Sequence, residues 1–223
     1  MKIAYKIGQW VYTLAIPLYL LMTIIRIFIS PAYAQFEYNR PYFPEDTYGF
    51  SQAERLKWAT YGINYLTNQE DISYLGDLTF ADGSPLFIPS ELSHMQDVKN
   101  VVQGMIVAWN ILTVYILFFI ALSIFGKQRR ALYVASSVGG WLSVILVATV
   151  LFFLSLNFDA LFTAFHHLFF KGNTWLFSYS DTLIRLYPLV FWRDVFIYIM
   201  GTDLLIGLAL GIFCGRTAKK LIQ

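Results

Sequence analysis

The sequence predicts an all-α integral membrane protein: four transmembrane helices with a small extracytoplasmic α+β cap. Three observations lead there. Of the 223 residues, 57% are hydrophobic and only 13% are charged, where a soluble domain carries about 25% charged residues. Four apolar runs each reach the roughly 20 residues that cross a bilayer. The segments that alternate between these runs differ in charge: three are short, basic and free of acid, and two are long.

Residues 1–33 form a tail with Lys2 and Lys6, then a first apolar run from about Gln9 to Ser30. The run ends in SPAYAQ, and Ala32-Tyr33-Ala34 has the small-residue pattern of a signal-peptidase site. Its length, and Arg26 within its outer part, favour an uncleaved span over a signal peptide of roughly 7–15 apolar residues. Residues 34–97 are acidic: Glu37, Glu45, Asp46, Glu54, Glu70, Asp71, Asp77, Asp82, Glu91 and Asp97 stand against Arg40, Arg55 and Lys57. Within them Ser51 and Glu54 spell a capping box, with Phe50 placed as a hydrophobic staple. Leu56, Ala59, Ile63 and Leu66 then recur at helical spacing, predicting a helix over about 52–67. LTFADGSPLFI carries Asp82-Gly83 between apolar runs, a hairpin signal. An insert this small has little core of its own and is expected to pack as a cap.

Ser90 is the expected N-cap of the next helix, with Glu91 in its first turn. Residues 98–156 supply the second and third spans, joined by a basic loop at 126–131 that contains Lys127, Gln128, Arg129 and Arg130. Residues 157–193 read as an interfacial helix followed by a Gly172-Asn173 turn and a short piece ending near Tyr187-Pro188. Residues 194–223 give the fourth span and a basic tail with Arg216, Lys219 and Lys220. With four spans all three basic segments fall on one side, which the positive-inside rule makes the cytoplasm. Both termini are then cytoplasmic, and residues 34–97 and 157–193 lie outside, on the extracytoplasmic face of the membrane.

All three histidines fall on that predicted outer side. Histidine exchanges protons near neutral pH and is the usual general acid or base. His94 precedes Asp97 by three residues, which puts a carboxylate beside an imidazole on one helix face. Asp97 is therefore a candidate to orient His94, though a lone histidine there is also an ordinary interfacial residue. His166 and His167 are adjacent, and successive helical residues point about 100° apart, so at most one of them faces His94. Phe162, Phe165, Phe169, Phe170, Trp175 and Phe177 surround that pair. They are candidate walls of a substrate pocket or, equally, an interfacial aromatic belt. Arg26 either snorkels to the interface or meets a substrate oxygen. Arg193-Asp194 reads as a surface ion pair or, through Asp194, a supporting group. Asn110 is expected to bond between helices, and Asp203 to be neutral or paired.

Several chemistries are excluded. Cys214 is the only cysteine, so a disulfide, a thiol pair and a cysteine-based zinc site are absent. There is no GxSxG elbow, HExxH helix or phosphate-cradling glycine loop. The adjacent histidines lack the one-face spacing of a helix-borne chelate, so no metal site is assigned. No basic stripe offers a nucleic-acid surface, and nothing calls for a cofactor.

EYNRPYFPEDTYGF at 37–50, ERLKWA at 54–59, ELSHMQDVKNV at 91–101 and FHHLFFKGNTWLF at 165–177 together resemble the bacterial lipoprotein intramolecular transacylases. SHMQDV and FHxLFF are the specific elements, and the resemblance runs through most of the chain. It implies four spans with an extracytoplasmic cap, a diacylglyceryl lipoprotein substrate drawn from membrane lipid surroundings, and transfer of the glyceryl sn-2 acyl chain to the α-amine of the same amino-terminal cysteine. It also implies two catalytic histidines, His94 in SHMQDV and, by the register of FHxLFF, His166, with His167 as rival. Donor and acceptor belong to one substrate, so no enzyme nucleophile is required. Two other readings stay open at this stage: a non-catalytic membrane protein whose cap binds a partner or lipid, and a metal-dependent membrane hydrolase.

Overall fold

The computed structural model describes residues 2–221. Met1, Ile222 and Gln223, which fall in the two predicted cytoplasmic tails, lie outside the described residues. The described residues form helices α1 (Lys2–Phe28), α2 (Pro31–Tyr38), α3 (Gln52–Thr67), α4 (Ser73–Gly76), α5 (Pro89–Phe125), α6 (Arg129–Leu156), α7 (Phe158–Phe169), α8 (Thr182–Leu186) and α9 (Leu189–Lys220). Four of them, α1, α5, α6 and α9, are long and apolar enough to cross a membrane. The chain divides into two compact units. One, the spanning unit, takes residues 1–26, 106–156 and 197–223; the other, the insert unit, takes residues 27–105 and 157–196.

In the spanning unit Tyr12, Ile16, Ile116, Phe119, Leu132 and Ala135 form the apolar core. Helices in lipid gain little from hydrophobic exclusion, so close backbone contact and interhelical hydrogen bonds hold them together. Both are present. Gly140 faces the Gly207-xxx-Gly211 stripe so closely that a Cβ on it would sit 2.7 Å from the Gly211 nitrogen and 2.8 Å from the Gly207 carbonyl oxygen. Tyr12 and Ser136 share a hydroxyl bond of 2.9 Å, Ser137 donates to the Gly211 carbonyl at 2.7 Å, and Trp109 Nε1 donates to Thr23 at 2.8 Å. Asp203, expected to be neutral or paired, is buried and accepts from Ser143. Asn110, expected to bond between helices, stands exposed on α5.

In the insert unit α2 opens with Ser30 accepting from Tyr33 N and Pro31 at the first helical position, where a missing N–H costs nothing. The Ala32-Tyr33-Ala34 motif lies inside this helix, with Tyr33 and Ala34 buried. Helix α3 begins with the predicted box: Ser51 Oγ accepts from Glu54 N at 3.3 Å and Glu54 Oε2 accepts from Ser51 N at 2.9 Å. Phe50 serves a different contact from the expected staple, because the fourth helical residue is Arg55. Its ring stacks 5.9 Å from Phe80 and lies 3.6 Å beneath the Arg185 guanidinium.

The expected α+β character of the insert is corrected. The described residues contain no strand, only an isolated antiparallel bridge between Thr79 and Pro85. The predicted turn does form, with Gly83 at φ +84° and Asp82 accepting from Ser84 N at 2.9 Å. The bridge is flanked by two backbone bonds, Leu86 N to the Leu78 carbonyl at 2.9 Å and Phe80 N to the Ser84 carbonyl at 2.8 Å. The ladder stops there because the Leu78 N–H is committed to the Leu75 carbonyl at 3.2 Å and the Ser84 N–H to Asp82. The start of α5 also differs from the Ser90 cap. Pro89 is its first residue, and Glu91 Oε2 reaches back to the Ile88 N–H at 2.8 Å. The other oxygen of Glu91 accepts from Leu183 N at 2.6 Å. This one buried carboxylate therefore fixes the origin of α5 against the first turn of α8.

Candidate active site around two buried imidazoles

His94 comes from the first turns of α5. That helix has 37 residues, about 55 Å at 1.5 Å per residue, well beyond the ~30 Å of a hydrocarbon core. Its opening turns carry Ser90, Glu91, Ser93, His94, Gln96, Asp97, Lys99 and Asn100, so they stand outside the apolar segment. His166 comes from the last turn of α7, whose start is fixed by Asn157 accepting from Ala160 N at 3.0 Å. Helix α7 ends at Phe169, the chain then turns at Gly172 with φ +65°, and Trp175 returns onto the helix.

The two rings lie 6.2 Å apart, centre to centre, and within 23° of parallel. His94 is 9% exposed and His166 8%. Phe170 and Phe177 meet the His94 ring edge-on at 5.0 and 5.5 Å. Around His166 stand Phe162 at 4.1 Å, Trp175 at 4.5 Å, Phe165 at 5.5 Å and Phe170 at 5.6 Å. His167 is exposed, and its ring meets the edge of Trp175 at 5.6 Å. Phe169 is exposed as well and packs on Phe165 at 4.9 Å. Phe162, Phe170 and Trp175 thus enclose the imidazole pair, and Phe165 and Phe169 form an outer flank.

The electrostatics favour neutral rings. Burial, and after it the neighbouring His166, push the His94 imidazole down to about 4, with the Asp97 charge pulling weakly the other way. Burial also holds His166 below the usual histidine value, against a hydrogen bond to the Phe162 carbonyl that favours the charged form. That bond, 2.8 Å from Nδ1, fixes the tautomer. A carbonyl oxygen only accepts, so Nδ1 carries the proton and Nε2 keeps its lone pair.

Other candidates fall elsewhere. Asp97 is exposed, and His94 Nδ1 is buried without a hydrogen-bond partner. The expected orienting hydrogen bond to that nitrogen is absent, and Asp97 acts only as a nearby charge. Three-residue spacing placed the two on adjacent positions, but the helix turns one inward and the other out. Arg26 belongs to the spanning unit, where its guanidinium lies 4.0 Å over Trp109. Asp194 is not part of a simple surface pair. It is buried, bonded to Arg193 Nε at 2.9 Å, and shares Arg40 with Glu37 at 3.5 and 3.4 Å. Glu37 is fully buried, and Tyr33 donates to it at 3.4 Å. Sequence reasoning missed this cluster. Its only trace was Glu37-x-x-Arg40 at helical spacing in an acidic stretch. Among the described residues no three His, Cys, Asp or Glu side chains gather to hold a metal ion.

Four membrane-length helices define a polytopic membrane protein, and its insert unit carries two buried, facing imidazoles. The chain belongs to the lipoprotein intramolecular transacylase family, Lit, a family of acyltransferases whose model matches residues 10–192. It is 30% identical over 199 residues to an uncharacterized protein of Aquifex aeolicus (strain VF5), covering 89% of this chain and 88% of that one. Its fold is similar to the in meso structure of the membrane integral lipoprotein intramolecular transacylase Lit from Bacillus cereus, with TM-score 0.73, 17% identity, and coverage of 100% of this chain and 97% of that one. A variant of the same Bacillus cereus protein with a histidine replaced by arginine gives TM-score 0.69 at 17% identity over 99% and 95% of the two chains.

Proposed function

We propose that this protein moves the sn-2 acyl chain of a diacylglyceryl-cysteine lipoprotein to the α-amine of the same cysteine, at the extracytoplasmic face of a bacterial cytoplasmic membrane. Family membership supports the reaction, and the charge pattern of the loops supports the face. The observation that carries the site assignment is the buried pair of facing imidazoles, His94 and His166.

The substrate brings both reactants, so holding them together removes much of the barrier; well-oriented intramolecular reactions reach effective molarities of about 10⁵–10⁸ M. An α-amine has a pKa of about 8 and is partly neutral at physiological pH. Its nitrogen attacks the ester carbonyl, the C–N bond forms, and the C–O bond to glycerol then breaks. One proton leaves the amine and one joins the glyceryl oxygen. Because both imidazoles rest neutral, neither holds an acidic proton in advance. The base that accepts the amine proton is therefore the acid that later delivers it. His166 suits this shuttle, since its Nδ1 is committed to the Phe162 carbonyl and its Nε2 keeps a lone pair. His94 supplies a second neutral ring, whose Nδ1 no protein group satisfies, to hold the amine or the departing oxygen. Phe162, Phe170 and Trp175 form the dry inner wall, with Phe165 and Phe169 flanking the acyl chain, so that transfer wins over hydrolysis.

The test uses a property of the reaction itself. Intramolecular transfer is an isomerisation, so the product mass equals that of the substrate, whereas hydrolysis removes the acyl chain. Purified protein incubated with a diacylglyceryl lipopeptide is expected to give an isomer whose fragment ions carry the acyl group on the cysteine nitrogen. Release of free fatty acid with an unblocked amine would contradict the assignment.

A further inference from the structure

Two nitrogen atoms in the imidazole cluster are buried without a hydrogen-bond partner: Nδ1 of His94 and Nε1 of Trp175. They differ chemically. A neutral imidazole nitrogen serves as donor or acceptor according to tautomer, but an indole nitrogen only donates. A buried donor with no acceptor lowers stability, and native proteins keep few of them, with catalytic sites among the recognised exceptions. Trp175 is 9% exposed, so solvent does not ordinarily satisfy its N–H. The indole is held firmly: its ring lies 4.5 Å from His166, 6.3 Å from Phe162 and 5.6 Å from His167. A fixed, unanswered N–H thus stands beside the base that handles the amine.

Transfer creates a demand for such a donor. When the amine nitrogen bonds to the acyl carbon, the carbonyl π pair moves onto oxygen and leaves a negative charge there. That oxygen takes no proton, because the pair returns to carbon as the C–O bond to glycerol breaks. The proton passes from the amine through His166 to the glyceryl oxygen. Of the three polar atoms around the reacting carbon, the imidazoles serve the nitrogen and the glyceryl oxygen. The carbonyl oxygen needs a donor that binds charge without giving up its proton, and an indole N–H is far too weak an acid to do so.

We propose that Trp175 Nε1–H is the catalytic oxyanion donor of the transfer, hydrogen-bonding the ester carbonyl oxygen of the substrate as it gains charge. This rests on the transacylase reading above. In an aromatic, poorly solvated site such a donor acts strongly, because water does not compete and no reorganisation is needed when the charge appears.

The test replaces Trp175 in the full-length protein with 3-benzothienylalanine, which puts sulfur where the N–H stands and keeps the bicyclic shape. With a diacylglyceryl lipopeptide, kcat is expected to fall about 10²–10³-fold, the usual effect of one lost oxyanion donor, while KM stays near the wild-type value. Because the N–H has no partner in the resting protein, the melting temperature is expected to stay level or rise. Trp175→Phe, which also lacks the N–H, is expected to lose kcat in the same direction. An unchanged kcat in the isosteric variant overturns the proposal. So does a lower melting temperature with the loss of activity, since it shows the N–H bonded inside the resting fold. Wild-type protein that gives no isomerised product overturns the transacylase reading, and this proposal with it.

Discussion

The carbonyl of Phe162 accepts the Nδ1 proton of His166 at 2.8 Å, one helical turn along α7. That contact fixes the ring of His166 against its own helix. It sets the tautomer, and burial keeps the ring uncharged. The rate should then carry no histidine inflection near the ordinary value of about 6.5. We expect kcat/KM to rise with pH along a single limb governed by the substrate amine, near 8, and the limb to move when a lipopeptide with a less basic amine is used. A titration between 6 and 7 that disappears in His166→Asn would contradict this.

The same burial has a consequence for stability. His94 in the folded chain titrates near 4 instead of the usual 6.5, so between those values the unfolded chain binds more protons. Stability contributed by this group is therefore complete above the unfolded value and is lost as pH falls through that window. Melting curves from pH 7 to pH 4 are expected to show a smaller acid-induced loss in His94→Phe than in wild type. An equal loss in both would show that His94 is solvated.

Glu37 works in the opposite direction. Burial raises its carboxyl from the usual 4.5 to about 7, the hydrogen bond that a protonated Glu37 shares with Asp194 adds to this, and Arg40 opposes it. Here the folded chain binds more protons, so this group lowers stability as pH rises from 4.5 to 7. Tyr33, Arg40, Arg193 and Asp194 face the cluster. Glu37→Gln, which keeps the shape and can donate to Asp194, is expected to melt above wild type at pH 8, with the difference vanishing towards pH 5. A variant that melts below wild type at pH 8 would show that Glu37 is held ionised.

In the spanning unit the close pass of Gly140 against Gly207 and Gly211 leaves no room for a side chain. Gly140→Val is expected to cost about 1–3 kcal/mol through overpacking, seen as a lower melting temperature in detergent. Gly104 has nothing within 4 Å of its added Cβ, so Gly104→Ala is expected to hold or raise stability by up to about 1 kcal/mol. Equal tolerance at both glycines would contradict the packing described.

Long-range order was legible where the signal was additive. Apolar run length located four membrane-length helices, and the Ser51–Glu54 spacing located the start of α3. Helix geometry allowed at most one of His166 and His167 to face His94, and the structure buries the first and exposes the second. Contacts that depend on distant chain segments were not legible. Glu37, Arg40 and Asp194 meet across more than 150 positions, with |i−j| of 154 for the last two. Glu91 reaches Leu183 across 92. The hairpin was misjudged because a turn signal says where a chain reverses, not how far its flanks can pair; the Leu78 and Ser84 N–H groups that a longer ladder needs bond to Leu75 and Asp82 instead. Asp97 was misjudged because spacing gives adjacency on a helix but not which side of it is buried.

The central claim is that His94 and His166 act as a pair on one substrate. Its most direct test is tandem mass spectrometry of a diacylglyceryl lipopeptide incubated with wild type and with His94→Ala, His166→Ala and His167→Ala, at matched and folded protein levels. Wild type and His167→Ala should convert the substrate to the N-acylated isomer. His94→Ala and His166→Ala should each lose about 10²–10⁴-fold in rate, the range for a general acid–base group. Full conversion by either of those two variants would contradict the account.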